Sequence, residues 1–137
     1  MKLVINNCDD IQFIKYLIKL LRKQLLGSIV PGKLIKWDNY LNTLPIFKTK
    51  YKKGITAKEI IYSAAFNIRY MKSGQDYTIY IDNNQKIFGT NAKLYSICKL
   101  INYGNMQMQG YPIFTNTFNY IADNIQILYL RYQRGFK

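Results

Sequence analysis

Apolar side chains recur three or four positions apart between residues 9 and 26, and this period predicts an amphipathic helix. Asn7, Asp9 or Asp10 can cap its first turn, because their side-chain oxygens accept hydrogen bonds from backbone amides that lack a partner within the helix. A separate face of this helix is basic. It is either a binding surface for phosphates or an acidic partner, or a solvated helix face; its cations are Lys15, Lys19, Arg22 and Lys23.

The pattern loses its period between residues 31 and 54. Pro45 disfavours one continuous helix, although a short helix over residues 36–42 fits the apolar spacing. The segment ends in a run of lysines interleaved with two aromatic residues. Flexible lysines contact phosphates well, and a ring between them can stack on an unpaired base; the alternative is a loop that charge keeps soluble. The run contains Phe47, Lys48, Lys50, Tyr51, Lys52 and Lys53.

A capping box marks the start of the next helix. In the pattern Thr56-x-x-Glu59 the two side chains satisfy free amides of the first turn, so we interpret Glu59 as structural rather than catalytic. The apolar spacing that follows predicts a helix to about residue 72, ended by Ser73 and Gly74.

Two short stretches then have the composition of strands. Residues 77–82 alternate and are rich in β-branched and aromatic side chains, and residues 85–88 follow after two asparagines, which tolerate the positive φ of a tight turn. This predicts a β-hairpin with Tyr77 and Tyr80 on opposite faces. Both rings are candidates for stacking or for an interface.

Helical spacing returns over residues 90–103 and from about residue 115 to residue 134. The segment between these helices, residues 105–109, has alternating residue types and forms either a short third strand or an exposed loop. Residues 56–137 therefore constitute a helix–hairpin–helix–helix core. The sequence predicts a single α+β domain, with about four helices packed against a small antiparallel hairpin sheet.

The charge balance adds a candidate partner to this picture. The 137 residues include 20 Lys and Arg against 7 Asp and Glu, a net charge of +13. Such an excess is typical of proteins that contact phosphates, acidic proteins or anionic lipid. An AT-rich genome is another cause, because lysine far outnumbers arginine. Codon bias does not remove acidic residues, however, and their scarcity favours an anionic partner.

The chemistry-bearing side chains are few and scattered. The chain has no histidine, which excludes Ser-His-Asp and Cys-His nucleophile systems within it. Cys8 and Cys98 lie far apart, so with no histidine they cannot form a common zinc site, and we expect Cys98 to be buried and Cys8 to be exposed. No phosphate-binding glycine loop and no cluster of carboxylates is evident. We expect no catalytic residue, metal or cofactor.

Three functions remain open at this point. The first, which the exclusions favour, is a non-enzymatic structural or assembly protein of a larger particle, such as the neck or tail of a bacteriophage virion, with neighbouring subunits as partners. The second is a nucleic-acid-binding regulatory or accessory module. The third is a small inhibitor or adaptor of a host protein.

No apolar stretch approaches the roughly 20 residues of a membrane span, and the first residues are too polar for a secretory signal. We therefore expect a cytoplasmic protein, or one in a particle assembled in the cytoplasm.

Overall fold

A computed structural model describes residues 1–48, 54–87 and 89–135 of the chain. Within these ranges there are seven helices and one three-stranded antiparallel sheet around a single hydrophobic core. The mixed helix and strand content agrees with the sequence, but about four helices is an undercount. The elements are β1 (Lys2–Ile5), α1 (Ile11–Gly27), α2 (Ile35–Leu41), α3 (Pro45–Lys48), α4 (Ala57–Ala65), β2 (Ile68–Ser73), β3 (Asp76–Ile81), α5 (Leu94–Tyr103), α6 (Ile113–Asp123) and α7 (Ile125–Gln133).

The first predicted helix is confirmed as α1, which lies at the centre of the fold. Of the three candidate caps, Asp10 is the one used: its Oδ1 accepts hydrogen bonds from the backbone N–H groups of Gln12 at 3.0 Å and Phe13 at 3.2 Å. The apolar stripe of α1 packs against α4, α6, α7, β2 and β3. Helix α1 thus contacts both the sheet and the later helices. The face of α1 that contacts neither is exposed on the surface of the molecule.

The sheet has the strand order β1-β3-β2, with both pairings antiparallel. Leu3 is paired with Ile79 and Ile68 is paired with Ile81, and these residues are buried against the helices. Strand β1 was missing from the sequence prediction. Its pattern alternates between exposed and buried residues, but it is only 4 residues long and its partner lies far along the chain.

The sequence predicted the wrong pairing strand for β3 in the hairpin. Strand β3 pairs with β2, through a turn in which Gly74 has φ of +62°, and residues 85–88 add no strand in the part that the structure describes. The helix predicted to residue 72 ends at Ala65 instead. The error arose because Ile68 continues the helical spacing of α4 and also fits an alternating strand. Gly74, interpreted as the end of a helix, serves the hairpin turn.

The irregular segment contains more structure than its pattern suggested. A 3₁₀ turn at Pro31–Lys33 precedes α2, which agrees with the short helix expected over residues 36–42, and the four residues of α3 begin at Pro45. Proline suits the first turn of a helix because its missing N–H has no intrahelical partner there. Asn42 joins this segment to the next: its side-chain amide donates to the Ile55 carbonyl and accepts from the Ile55 N–H.

The last predicted helix is divided in two. Asn124 leaves helical geometry, with φ of −114° and ψ of 16°, and separates α6 from α7. Residues 105–109 form an exposed loop rather than a third strand, and the loop is closed by a single bridge between Gly104 and Gln109. Gly104, with φ of +74°, ends α5 as predicted. A Cβ there would collide with the Met108 carbonyl, so the position requires glycine.

Candidate functional site

Most of the scarce carboxylates are used to complete local backbone structure. Besides Asp10 at the start of α1, Asp38 Oδ1 accepts a hydrogen bond from the Ala57 N–H at 2.7 Å and so holds the start of α4. Asp76 accepts from the Asn7 N–H at 3.0 Å, and Asp82 accepts from the Asn84 N–H at 2.9 Å. These positions are dictated by helix and turn ends rather than by nearby cations.

Few of the positive charges therefore have a carboxylate partner among the described residues. Within the described ranges there is one ion pair, between Arg69 Nε and Asp82 Oδ2 at 3.9 Å, and both side chains are partly exposed. An exposed pair of this kind contributes little to stability. The excess of cations is therefore presented to solvent and to any partner.

One groove collects several of these cations along α1, where it packs against α6 and α7. Lys15, Lys19 and Lys23 are exposed and follow one another every four residues, so they form a row about 12 Å long on one face of the helix. Three cavities of about 210, 440 and 390 Å³ border α1 in succession, lined by residues within 12–19, 20–28 and 24–28. We call this surface the basic groove.

Among the described residues, no carboxylate lines the basic groove. Arg131 of α7 joins Lys23 in the middle cavity, and Lys33 of the 3₁₀ turn lines the last one. The remaining polar lining is neutral. Tyr120 of α6 belongs to both of these cavities. Arg131, Lys33 and Tyr120 were not among the sequence candidates, because nothing in the local pattern indicates that they lie beside α1.

An aromatic cluster connects α7 to α1 next to the basic groove. The ring centroid of Phe13 lies 4.9 Å from that of Tyr129 and 5.3 Å from that of Tyr132, and Tyr16 packs on Tyr132 at 5.4 Å. The Tyr132 hydroxyl donates to Asp10 Oδ1 at 3.2 Å. Burial, together with this hydrogen bond to a carboxylate, raises the pKa of the Tyr132 phenol. The cluster therefore ties α7 to the capped end of α1.

A different cavity, of about 530 Å³, opens on the other side of α7. Its apolar lining comes from β1, α1 and α7 and includes Phe13 and Leu130, while Asp9, Asp10 and Cys8 lie at its polar part. We call it the apolar cavity. Ile127 and Leu130 of α7 are each about half exposed. This helix therefore has apolar side chains that face solvent as well as apolar side chains that face the core.

The predicted site residues are distributed over several surfaces. Lys15 and Lys19 line the basic groove, whereas the Arg22 Nε donates to the Ala65 carbonyl at 3.0 Å and the guanidinium lies 5.0 Å from the Phe66 ring centroid. Lys48 is exposed at the end of α3. The other cations and the tyrosine of the lysine run, Lys50, Tyr51, Lys52 and Lys53, lie outside the described residues, and their role stays a prediction.

Two of the aromatic candidates are not surface groups. Phe47 is fully buried and Tyr77 is 3% exposed, which corrects the expectation that their rings are accessible for stacking. Tyr77 lies on the covered face of the sheet, where hydrophobic burial outweighs its polar tip. Tyr80 is on the opposite face and is half-buried, paired with Lys2 and Arg69 on the neighbouring strands.

The two cysteines differ in environment. Cys98 is fully buried, as expected, and burial raises the pKa of its thiol. Cys8 is half-buried rather than exposed, and its Sγ lies 3.7 Å from the Asp10 carbonyl. Among the described residues no group of three or more His, Cys, Asp or Glu could hold a metal ion, and no helix there is long and apolar enough to span a membrane.

Comparison with known proteins returns no relative of this chain. No protein-family model matches the sequence, and no curated protein or solved structure is significantly similar to it.

Proposed function

We propose that this protein is a non-enzymatic nucleic-acid-binding protein, and that the basic groove holds the phosphates of its ligand. The observation that carries the proposal is that five cations line three successive cavities beside α1, and that no carboxylate of the described residues lines any of them. These cations are Lys15, Lys19, Lys23, Lys33 and Arg131. Neutralised phosphates release counterions, and this release supplies most of the affinity of basic proteins for nucleic acid.

The lysine row has no explanation in the stability of α1. Cations stabilise the last turn of a helix through its dipole, but the last turn of α1 contains no basic residue. Like charges four residues apart instead destabilise a helix by about 0.2–0.5 kcal/mol per pair. Lys15, Lys19 and Lys23 thus carry a small local cost, which an anionic ligand would offset.

The test is the salt dependence of binding to a labelled oligonucleotide. In a variant with Lys15→Gln, Lys19→Gln and Lys23→Gln, the slope of log affinity against log salt should shrink by about 2–3, because each phosphate contact contributes about 0.7–0.9. The matched control, Lys36→Gln with Lys86→Gln and Lys93→Gln, removes the same charge from exposed positions outside the groove lining. Its slope should change by less than about 1.

Three results would count against a nucleic-acid ligand. Wild-type protein that fails to bind at low salt would remove the proposal entirely. Equal losses in the two triple variants would show that net charge matters and the groove does not. Polyglutamate that binds as tightly as the oligonucleotide would indicate an acidic protein partner instead.

The second candidate function is assembly into a larger particle, and a different surface favours it. Helix α7 exposes Ile127 and also Leu130, which lines the apolar cavity, whereas a solvated helix normally turns polar residues outward. Exposed apolar patches of this kind often mark contacts between protein subunits. The two roles are compatible in a particle that contains nucleic acid, such as a bacteriophage virion. There the groove would bind nucleic acid and α7 would contact a neighbouring subunit.

A further inference from the structure

The basic groove has one feature that a row of cations alone does not explain. Tyr120 projects from α6 at the point where the two larger cavities meet, and it is half exposed. Lys23 and Arg131 lie on one side of this point, in the cavity of about 440 Å³. Lys33 lies on the other side, in the cavity of about 390 Å³. Tyr120 thus lines both of these cationic cavities and is the aromatic residue that they share.

The ring of Tyr120 also has no aromatic or cation partner among the described residues. Four tyrosines are exposed in the part of the chain that the structure describes, and two of them already have ring partners: Lys58 lies over Tyr62, and Tyr129 packs in the aromatic cluster with Phe13. Tyr120 and Tyr103 have no aromatic or cation contact among the described residues, and Tyr103 lies outside the groove lining. Tyr120 is therefore the free exposed ring in the groove.

We propose that the basic groove binds single-stranded nucleic acid, with one base stacked on Tyr120 and the flanking phosphates held by Lys23 and Arg131 on one side and by Lys33 on the other. This inference rests on the proposed function and narrows its ligand. Proteins that bind single strands combine a cationic groove with aromatic side chains, because every base has a face on which a ring can stack.

The dimensions of the groove favour a single strand over a duplex. The two larger cavities are within the size range of small-ligand pockets, so each has room for one nucleotide. Packed helices lie about 8–10 Å apart, and a groove between them is too narrow for a double helix to enter. In a duplex the bases are also stacked on one another, which leaves no base face for Tyr120.

The experiment compares two probes and three variants of the full chain. The probes are a labelled oligothymidine of about 12 nucleotides, within the span of known single-strand sites, and a duplex of the same length. We expect the wild type to bind the single strand more tightly. Tyr120→Leu should weaken single-strand binding about tenfold, the effect of losing one base–aromatic stack, and leave duplex binding unchanged. Tyr120→Phe, which keeps the ring, and Tyr103→Leu, an exposed tyrosine elsewhere, should bind as the wild type does.

The outcomes separate this inference from the function on which it rests. If neither probe binds, both fail. Should both probes bind with equal affinity, or should Tyr120→Leu behave like Tyr103→Leu, the protein binds nucleic acid but not through a base stacked on Tyr120. A loss in Tyr120→Phe equal to that in Tyr120→Leu would also overturn the stacking assignment, because the ring would then be irrelevant.

Discussion

The two sides of α7 differ in charge although α1 and α7 contribute to both. On one side they line the basic groove together with α6 and the 3₁₀ turn, and no carboxylate of the described residues lies there. On the other side they form the apolar cavity, where Asp9 and Asp10 are found. The acidic residues that precede α1 make the difference: Asp9 and Asp10 border the cavity, whereas the groove is bordered by α1 from Gln12 onward.

This comparison indicates why an excess of positive charge becomes a localised surface. Carboxylates are placed where backbone amides need acceptors, as Asp10 is at the start of α1 and Asp38 is at the start of α4. Helix ends and turns therefore collect the acidic residues, and the middle of a long helix has no such requirement. The row from Lys15 to Lys23 stays free of compensating charge for this reason.

The largest effect should follow from removing the ring that connects the apolar cavity to the aromatic cluster. Phe13 is 2% exposed, packs on Tyr129 and Tyr132, and lines the apolar cavity. We expect Phe13→Ala to lower the free energy of unfolding by about 3–5 kcal/mol, measured by denaturant titration. Ile11→Ala, two residues earlier and more than a third exposed, is the control and should cost far less. A loss below about 1 kcal/mol in Phe13→Ala would show that this ring does not anchor α7.

A smaller effect should distinguish the two adjacent aspartates. Asp10 caps α1 and accepts from Tyr132, whereas Asp9 is exposed and has no hydrogen-bond partner among the described residues. Asp10→Ala should cost about 1–2 kcal/mol of stability, and Asp9→Ala should change it by no more than about 0.5 kcal/mol. Thermal or chemical unfolding measures both. Since each variant removes one carboxylate, equal losses would mean that charge, and not capping, accounts for these residues.

The smallest change in stability is expected on the exposed face of α7, where the two candidate functions separate. Ile127→Ser combined with Leu130→Ser removes half-exposed apolar groups and should alter the free energy of unfolding by about 0.5 kcal/mol per site or less. Oligonucleotide binding should be unchanged, because neither residue lines the groove. Sedimentation at high concentration should show self-association of the wild type that this variant lacks. A wild type that stays monomeric at every concentration would contradict assembly between copies through α7.

Local signals in the sequence were sufficient for some of the elements. The period of α1, its cap among three candidates within four residues, and the end of α5 at Gly104 depend on contacts between residues a few positions apart. The burial of Cys98 followed from the same helical spacing. Such features can be predicted because one helical turn determines which side chains and backbone groups meet.

The candidate site was predicted only in part, because local spacing identifies the residues on one helix face but not the residues that pack beside it. Lys15 and Lys19 were recognised as one face of α1, but Arg22, assigned to that face, turns toward Ala65 and the end of α4. Tyr120 gave one weak signal, an aromatic residue outside the apolar stripe of its helix. Nothing in the local pattern placed it beside Lys23.

By itself, the sequence determined the net charge, the absence of histidine and the helices whose period is unambiguous. Only the tertiary structure decided which strand joins β3, since Ile68 fits both a helix and a strand until pairing with Ile81 selects the strand. It also decided that β1 completes the sheet and that Arg131 and Lys33 join the lysines of α1 in one groove. These arrangements depend on contacts between residues far apart in the chain, whose free energy is gained only when the whole core packs and which no local pattern encodes.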